Sequence, residues 1–127
     1  MSTGAFSNGA YKATLAALDT GGGVLSLANP EGVAVIVTSL VLDITTVATA
    51  ACTLDAGIAA AATTVSDTLI DGVDVNAAIG TFDDQKNAGT NGSGSQKWAA
   101  NQFLTVSMKT GAAAGLVGSA YVRYYIA

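Results

Sequence analysis

The sequence predicts an all-β protein, a β-sandwich of the jelly-roll type with seven or eight antiparallel strands, and three observations support this prediction. First, β-branched residues dominate residues 32–58, and such side chains fit well on a pleated, half-buried surface. Second, apolar side chains alternate there: Leu40, Leu42 and Ile44 point to one side, and the residues between them point to the other. Third, short strand-like segments recur at regular spacing, with turn residues between them.

The expected elements follow one another along the chain. We expect strands over residues 11–18 (or one helical turn there), 24–27, two within 32–58 joined by residues 46–51, 65–75, from 98 or 103 to 108, and 116–127. Glycines at 21–23 and the only proline, Pro30, mark the first turns, because glycine adopts positive φ without steric cost. Residues 82–95, rich in Gly, Ser and Asn, are predicted as a long exposed loop.

The last of these strands carries large side chains on both faces. Val122, Tyr124 and Ile126 alternate with Tyr121, Arg123 and Tyr125. A strand that is bulky on both faces is expected in the centre of a sheet or against a neighbouring subunit.

Length and local composition predict one domain with a short N-terminal arm. The chain has 127 residues, the usual size of a single domain. Residues 1–10 are mostly small and polar, and we assign residues 1–12 to the arm and residues 13–127 to a single β-sandwich domain. No signal segment is visible, and no apolar run approaches the about 20 residues of a membrane helix. We therefore expect synthesis in a cytoplasm and no membrane association.

The chain carries few charges. Charged residues make up 11% of it, against about 25% in ordinary soluble domains. Large uncharged surfaces tend to be interfaces, so we expect a symmetric oligomer; a monomer coated with Ser, Thr, Asn and Gly is the alternative. The net charge is −4, and the five basic residues are scattered along the sequence. This distribution argues against nucleic-acid binding.

Residue types that commonly carry catalysis are scarce, and we expect no enzyme activity. Histidine is absent, which removes the commonest general base and metal ligand. Cys52 lies in an apolar alternating run and is predicted to be a buried thiol. Asp19-Thr20-Gly21 matches the Asp-Thr-Gly motif of aspartic proteases, but two further glycines follow it, which favours a turn.

Two other segments are candidates for ligand binding. The carboxylates of Asp67, Asp71 and Asp74 could hold calcium, but apolar residues intervene, and a charged strand edge is the simpler interpretation. We therefore predict no metal site and no cofactor. Trp98, which follows the loop at 87–97, could present its ring to a partner or a sugar, or close the end of the sandwich.

Three segments that together cover most of the chain carry a resemblance. They are NPEGVAVIVTSLVLDITTVATAACTLDAGIA, SDTLIDGVDV and WAANQFLTVSMKTGAAAGLVGSAYVRYYIA. They resemble the auxiliary capsid proteins of tailed bacteriophages, which are called decoration, cement or head-fibre proteins. The resemblance implies a β-sandwich or jelly roll, usually trimeric, on the outside of an icosahedral shell. The partner it implies is the major capsid protein, contacted in part by the N-terminal arm.

The leading functional expectation is therefore a virion structural protein that decorates or stabilises the outer capsid surface. The alternative is a receptor- or carbohydrate-binding module of a head fibre or spike, with Trp98 in its site. The candidate contacts with a partner or within a homotrimer are Phe6, Tyr11, Trp98, Tyr121, Arg123 and Tyr125. A trimer would bury the face formed by the outward side chains of the last strand.

Overall fold

The computed structural model describes residues 8–127, and the regular structure of these residues consists of strands alone. The strands are β1 (Asn8–Thr14), β2 (Leu25–Ala28), β3 (Val35–Thr46), β4 (Cys52–Ala59), β5 (Ile70–Asp74), β6 (Gly80–Asp83), β7 (Gln96–Trp98), β8 (Phe103–Gly111) and β9 (Val117–Ile126). The predicted all-β class is confirmed.

The strands form two antiparallel sheets. Sheet I has the order β1-β9-β3-β6, with β7 also paired to β3, and sheet II has the order β2-β8-β4-β5. The chain crosses between the sheets at every connection except β4–β5 and β6–β7. Two antiparallel sheets with these crossings are consistent with a β-sandwich, and β6 and β7 share one edge position of sheet I.

The described residues contain nine strands, where the sequence predicted seven or eight. The two additional short strands lie in the region from residue 80 to 98, most of which was predicted as loop. β6 pairs with the second half of β3, and β7 pairs with the first half. Strands of four and three residues show too little alternation to stand out among Gly, Ser and Asn residues, so only pairing with β3 reveals them.

The boundary predicted for the N-terminal arm is wrong. Residues 8–12 are not an arm but lie in β1, which pairs along its whole length with β9, from Asn8 opposite Tyr125 to Thr14 opposite Ser119. Phe6, which was assigned to the arm, falls outside the described residues. The predicted strand at 65–75 is also shorter in the structure, and only Ile70–Asp74 is extended and paired.

The core lies between the two sheets. Leu40, Leu42 and Ile44 of β3 point inward and are fully buried, which confirms the predicted alternation. Burial of each such side chain stabilises the fold by roughly 1.5–3 kcal/mol. The thiol of Cys52 is also buried in this core, as predicted, and the burial raises its pKa.

A β-bulge in β3 changes which side chains face the core. Val37 pairs with Tyr124, and the next paired residue is Ser39, opposite Arg123, so Thr38 is the extra residue. Val37 and Leu40 are both buried although they are three positions apart. Without the bulge these two side chains would point to opposite faces, because strand side chains alternate with a period of two.

Candidate binding surface

The outer face of sheet II is covered by the protein itself. Asp55, Thr105 and Ser107 point away from the core on this face, yet all three are buried. The segment at 60–69 and the turn at 20–23 lie over them. The hydroxyl of Thr105 donates to the carbonyl of Thr64 at 2.9 Å, and the hydroxyl oxygen of Ser107 accepts from the amide of Gly22 at 2.9 Å. These bonds satisfy the buried hydroxyl groups and hold the cover in place.

Gly57 allows the cover to approach the sheet closely. A Cβ atom at this position would lie 2.4 Å from Ser66 Oγ and 2.6 Å from the backbone nitrogen of Thr68. Both distances are below any normal contact. The hydroxyl of Ser66 donates to the Ile58 carbonyl at 2.9 Å, so the segment packs directly on the backbone of β4.

The outer face of sheet I is open by contrast. We call the surface formed by Lys12, Ile36, Val41, Tyr121, Arg123 and Tyr125 the sheet I face. Its side chains form rows across the strands, since Tyr121 lies opposite Lys12 on one side and Val41 on the other. Tyr125 likewise lies opposite Ile36.

The aromatic and aliphatic groups of the sheet I face are accessible to a partner. Ile36, Tyr121 and Tyr125 are 40%, 40% and 39% exposed. Lys12 Nζ lies 5.5 Å from the centroid of the Tyr121 ring, a distance at which the ammonium group and the ring attract each other. A shallow groove of about 360 Å³ runs beside this pair and reaches Arg123 and Val41. The face therefore combines exposed rings with basic groups.

The structure brings together most of the predicted contact residues of β1 and β9. Tyr121, Arg123 and Tyr125 project from the same side of β9, as the alternation predicted. Tyr11 lies in β1 opposite the buried Val122, and its ring is half-exposed at the sheet edge beside the groove.

Sequence reasoning missed three members of the sheet I face. Lys12 was placed in the arm, and Ile36 and Val41 were treated only as members of strands. Their place on the face depends on the register between β1, β9 and β3, including the bulge at Thr38. The alternation of apolar residues in β3 could have suggested that Ile36 points outward. It could not have shown that Ile36 lies opposite Tyr125.

Trp98 does not contribute to an exposed surface. Its side chain is fully buried, and its indole N–H donates to the carbonyl of Gln102 at 2.9 Å. The side-chain amide of Asn29 donates to the Trp98 carbonyl and so ties the neighbouring turn to β7. The burial of the ring overturns the interpretation in which Trp98 presents it to a partner or a sugar, and the interpretation in which it closes the end of the sandwich stays a prediction.

The three carboxylates considered for calcium serve separate structural contacts. Asp71 binds Lys109 Nζ at 2.5 Å, and Asp67 accepts from the Asn91 side chain at 2.9 Å. Asp74 accepts from the backbone of Asn76 at 2.9 Å. Within residues 8–127, no three acidic or cysteine side chains converge as a metal site would require.

Several acidic groups lie together near the outer side of sheet II. Lys109 holds the pKa of the Asp71 carboxyl below its usual range through a direct hydrogen bond, and Asp71 in turn raises the pKa of Lys109. Burial raises the pKa of Asp55, with Lys109 acting in the opposite direction. Asp67 lies near the same ammonium group, so three carboxylates, those of Asp55, Asp67 and Asp71, interact with Lys109.

The Asp-Thr-Gly motif forms a turn. The amide of Gly23 donates to the Thr20 carbonyl at 2.8 Å, and Gly22 has a φ of +66°. Asp19 accepts a hydrogen bond from the Ala113 amide at 2.7 Å and so joins this turn to the β8–β9 connection. The motif therefore has a structural role in this fold.

No protein-family model, curated protein or solved structure matches this chain. Among the described residues there is no helix that is long and apolar enough to cross a membrane.

Proposed function

We propose that this protein is a virion structural protein that decorates or stabilises the outer surface of a phage capsid, with the major capsid protein as its partner. The observation that carries the proposal is the difference between the two outer faces. Sheet II is covered by the protein's own loops, whereas the sheet I face exposes two tyrosine rings and an isoleucine beside basic groups. Exposed apolar patches of this kind are typical of binding sites.

The identity of the partner is supported by the resemblance of the sequence to auxiliary capsid proteins. A jelly-roll sandwich is compatible with that role, although the same fold serves many functions. Binding alone would stabilise whichever state of the shell the protein prefers, by mass action, so the role requires no covalent chemistry.

A homotrimer is part of the proposal. The area of the sheet I face follows from its width and its length. The width is four strands about 4.8 Å apart, and the length is that of β9 from Val117 to Tyr125, so the area is about 500 Å². Stable protein complexes bury about 800 Å² on each partner, so one copy of this face is small for tight binding. In this proposal the sheet I face binds the shell and is not the trimer interface, which differs from the expectation drawn from the sequence. Three linked copies would then bind a repeating shell more tightly through avidity.

The carbohydrate-binding alternative has lost its main residue, since the ring of Trp98 is buried. The sheet I face is the surface on which the two interpretations would now compete. A glycan-binding screen with the wild-type protein separates them, because the decoration role predicts no glycan binding.

The test is co-sedimentation with expanded shells of the major capsid protein encoded in the same genome. We expect the wild-type protein to pellet with the shells and to saturate them. A variant with Tyr121→Ser and Tyr125→Ser should remain in the supernatant. Leu18→Ser and Ile79→Ser are the matched controls, because these side chains are 59% and 64% exposed and lie outside the face. Failure of the wild-type protein to bind shells would contradict the proposal.

The trimer is tested separately by light scattering coupled to size exclusion at low micromolar concentration. A mass of three chains is expected. A mass of one chain would contradict the trimer and would mean that the low charge content reflects a polar uncharged surface instead.

A further inference from the structure

We propose that the sheet I face, together with the adjoining Lys97 of β7, docks on a carboxylate-rich protein surface, so that the partner presents acidic side chains to Lys12, Arg123 and Lys97. This inference rests on the proposed function and specifies the chemistry of the partner.

The basic residues are not evenly distributed in the folded protein. Lys12, Arg123 and Lys97 project from β1, β9 and β7 on the outer side of sheet I. They are three of the five basic residues of a chain that carries nine acidic ones. Residues scattered in the sequence are therefore gathered on one side by the strand order.

These three cations have no ion-pair partner within residues 8–127. The ion pairs there are Lys86 with Asp83 at 4.0 Å and Lys109 with Asp71. The acidic groups on the outer side of sheet I are Asp83, which already pairs with Lys86, and Asp43 at one end. The centre of the face is therefore positive in a protein of net charge −4.

The other side of the sandwich has the opposite charge. Near the outer side of sheet II, the carboxylates of Asp55, Asp67 and Asp71 lie around Lys109. The molecule is thus polarised across its two sheets, and an acidic partner would attract one side and repel the other. Such polarity orients a protein during encounter and raises the rate of association.

The side chains of the face suit carboxylates. Arg123 lies between Tyr121 and Tyr125 on the same side of β9, and its guanidinium group can bind a carboxylate with two parallel hydrogen bonds. The neighbouring rings supply apolar contact area and exclude water, which strengthens such a pair.

A polyphosphate is a poorer fit than an acidic protein surface. Nucleic-acid binding draws on many phosphate contacts, and three cations supply few of them. The carboxylates of sheet II would also repel an extended polyanion. A local cluster of Asp and Glu side chains on a protein requires only the small area that the face offers.

The experiment measures binding to the same shells with Arg123→Gln, Lys12→Gln and Arg123→Lys, and with Lys86→Gln as the matched control. Lys86 is basic and its side chain is 66% exposed, but it is paired with Asp83. We expect Arg123→Gln and Lys12→Gln each to weaken binding about tenfold at low salt. Arg123→Lys should retain more affinity than Arg123→Gln, and Lys86→Gln should bind like the wild type.

Salt and a competing polyanion complete the test. We expect wild-type affinity to fall as the salt concentration rises towards about 1 M, where charges are screened within about 3 Å. Salt-independent shell binding with unchanged affinity of both Gln variants would overturn this inference and leave the proposed function intact. If the protein binds a DNA duplex as tightly as it binds the shells, or more tightly, the face recognises phosphates and the inference is overturned. The mass of the protein in the absence of shells is measured as well. If this mass rises with protein concentration and Arg123→Gln abolishes the rise, the face binds a second copy of the chain, and the inference is overturned.

Discussion

Replacing Tyr124 by Phe should change how the stability of the protein depends on alkaline pH. The Tyr124 ring is 2% exposed, and its hydroxyl group donates to Glu31 Oε2 at 2.6 Å. Burial, the hydrogen bond and the charge of Glu31 raise the pKa of Tyr124 from 10.0 to about 12. Folding therefore favours the neutral phenol.

The sign and size of the effect follow from this pKa. Because the folded pKa lies above the unfolded one, the contribution of the phenol is complete below pH 10 and is lost as the pH rises through 12. A difference of about two pH units corresponds to about 3 kcal/mol of the free energy of unfolding. At neutral pH, Tyr124→Phe removes the hydrogen bond from the phenol to the Glu31 carboxylate, and a water molecule can take the place of the phenol at Glu31. We expect the free energy of unfolding to fall by about 1–2 kcal/mol.

The two effects predict a reversal of the order of stability. Wild type should be more stable than Tyr124→Phe near pH 8 and less stable above pH 12. At high pH the phenol of wild type ionises readily in the unfolded chain but not in its buried site, which favours unfolding, and Phe has no group that ionises. Denaturant unfolding of both proteins across this range measures the difference, and the other tyrosines cancel because both proteins contain them. Glu31→Gln should retain part of the pH dependence of wild type, since burial is the first cause of the raised pKa of Tyr124 and the charge and hydrogen bond of Glu31 add to it. Parallel stability curves up to pH 12.5 would refute the reasoning.

Three further predictions concern the buried groups. Trp98→Ala should lower the free energy of unfolding by about 3–5 kcal/mol, as judged by denaturant unfolding, because a fully buried ring is replaced by a cavity; a loss below about 1 kcal/mol would mean that the site collapses or that the ring is not buried. Gly57→Ala should destabilise the protein and speed hydrogen exchange in the cover at 60–69, because the new methyl group overlaps Ser66; unchanged exchange would show that the cover does not rest on β4. The Cys52 thiol should react with a thiol reagent only as fast as the protein opens, whereas a Thr49→Cys substitution at an exposed position should react at once; equal rates would contradict the buried thiol.

The fold class was within reach of the sequence because its main signals are local. The alternation of Leu40, Leu42 and Ile44 and that of β9 reflect the pleat of a strand, which requires no knowledge of its neighbours. The turn at 20–23 was likewise predictable from its glycines. The short strands β6 and β7 were not, because each is stable only as an edge paired to β3.

The candidate site was predictable only in part. Tyr121, Arg123 and Tyr125 were recognised on one side of a strand, since residues two apart share a face. Lys12, Ile36 and Val41 join them through pairings between distant parts of the chain, and the bulge at Thr38 shifts the register within β3. The exposed or buried state of Trp98 was left open by its local sequence, because a ring at the end of a sandwich can point either way.

By itself, the sequence determined that this protein is all-β, that Tyr121, Arg123 and Tyr125 share one side of β9, and that its thiol is buried. Tertiary structure alone decided which outer face is open. The cover of sheet II depends on hydrogen bonds such as those from Thr105 to Thr64 and from Gly22 to Ser107, which join residues far apart in the chain. Likewise, Lys12, Arg123 and Lys97 gather on one side only because β1, β9 and β7 belong to the same sheet. Strand periodicity is a property of neighbouring residues, whereas exposure and local charge are properties of surfaces that folding assembles from distant ones.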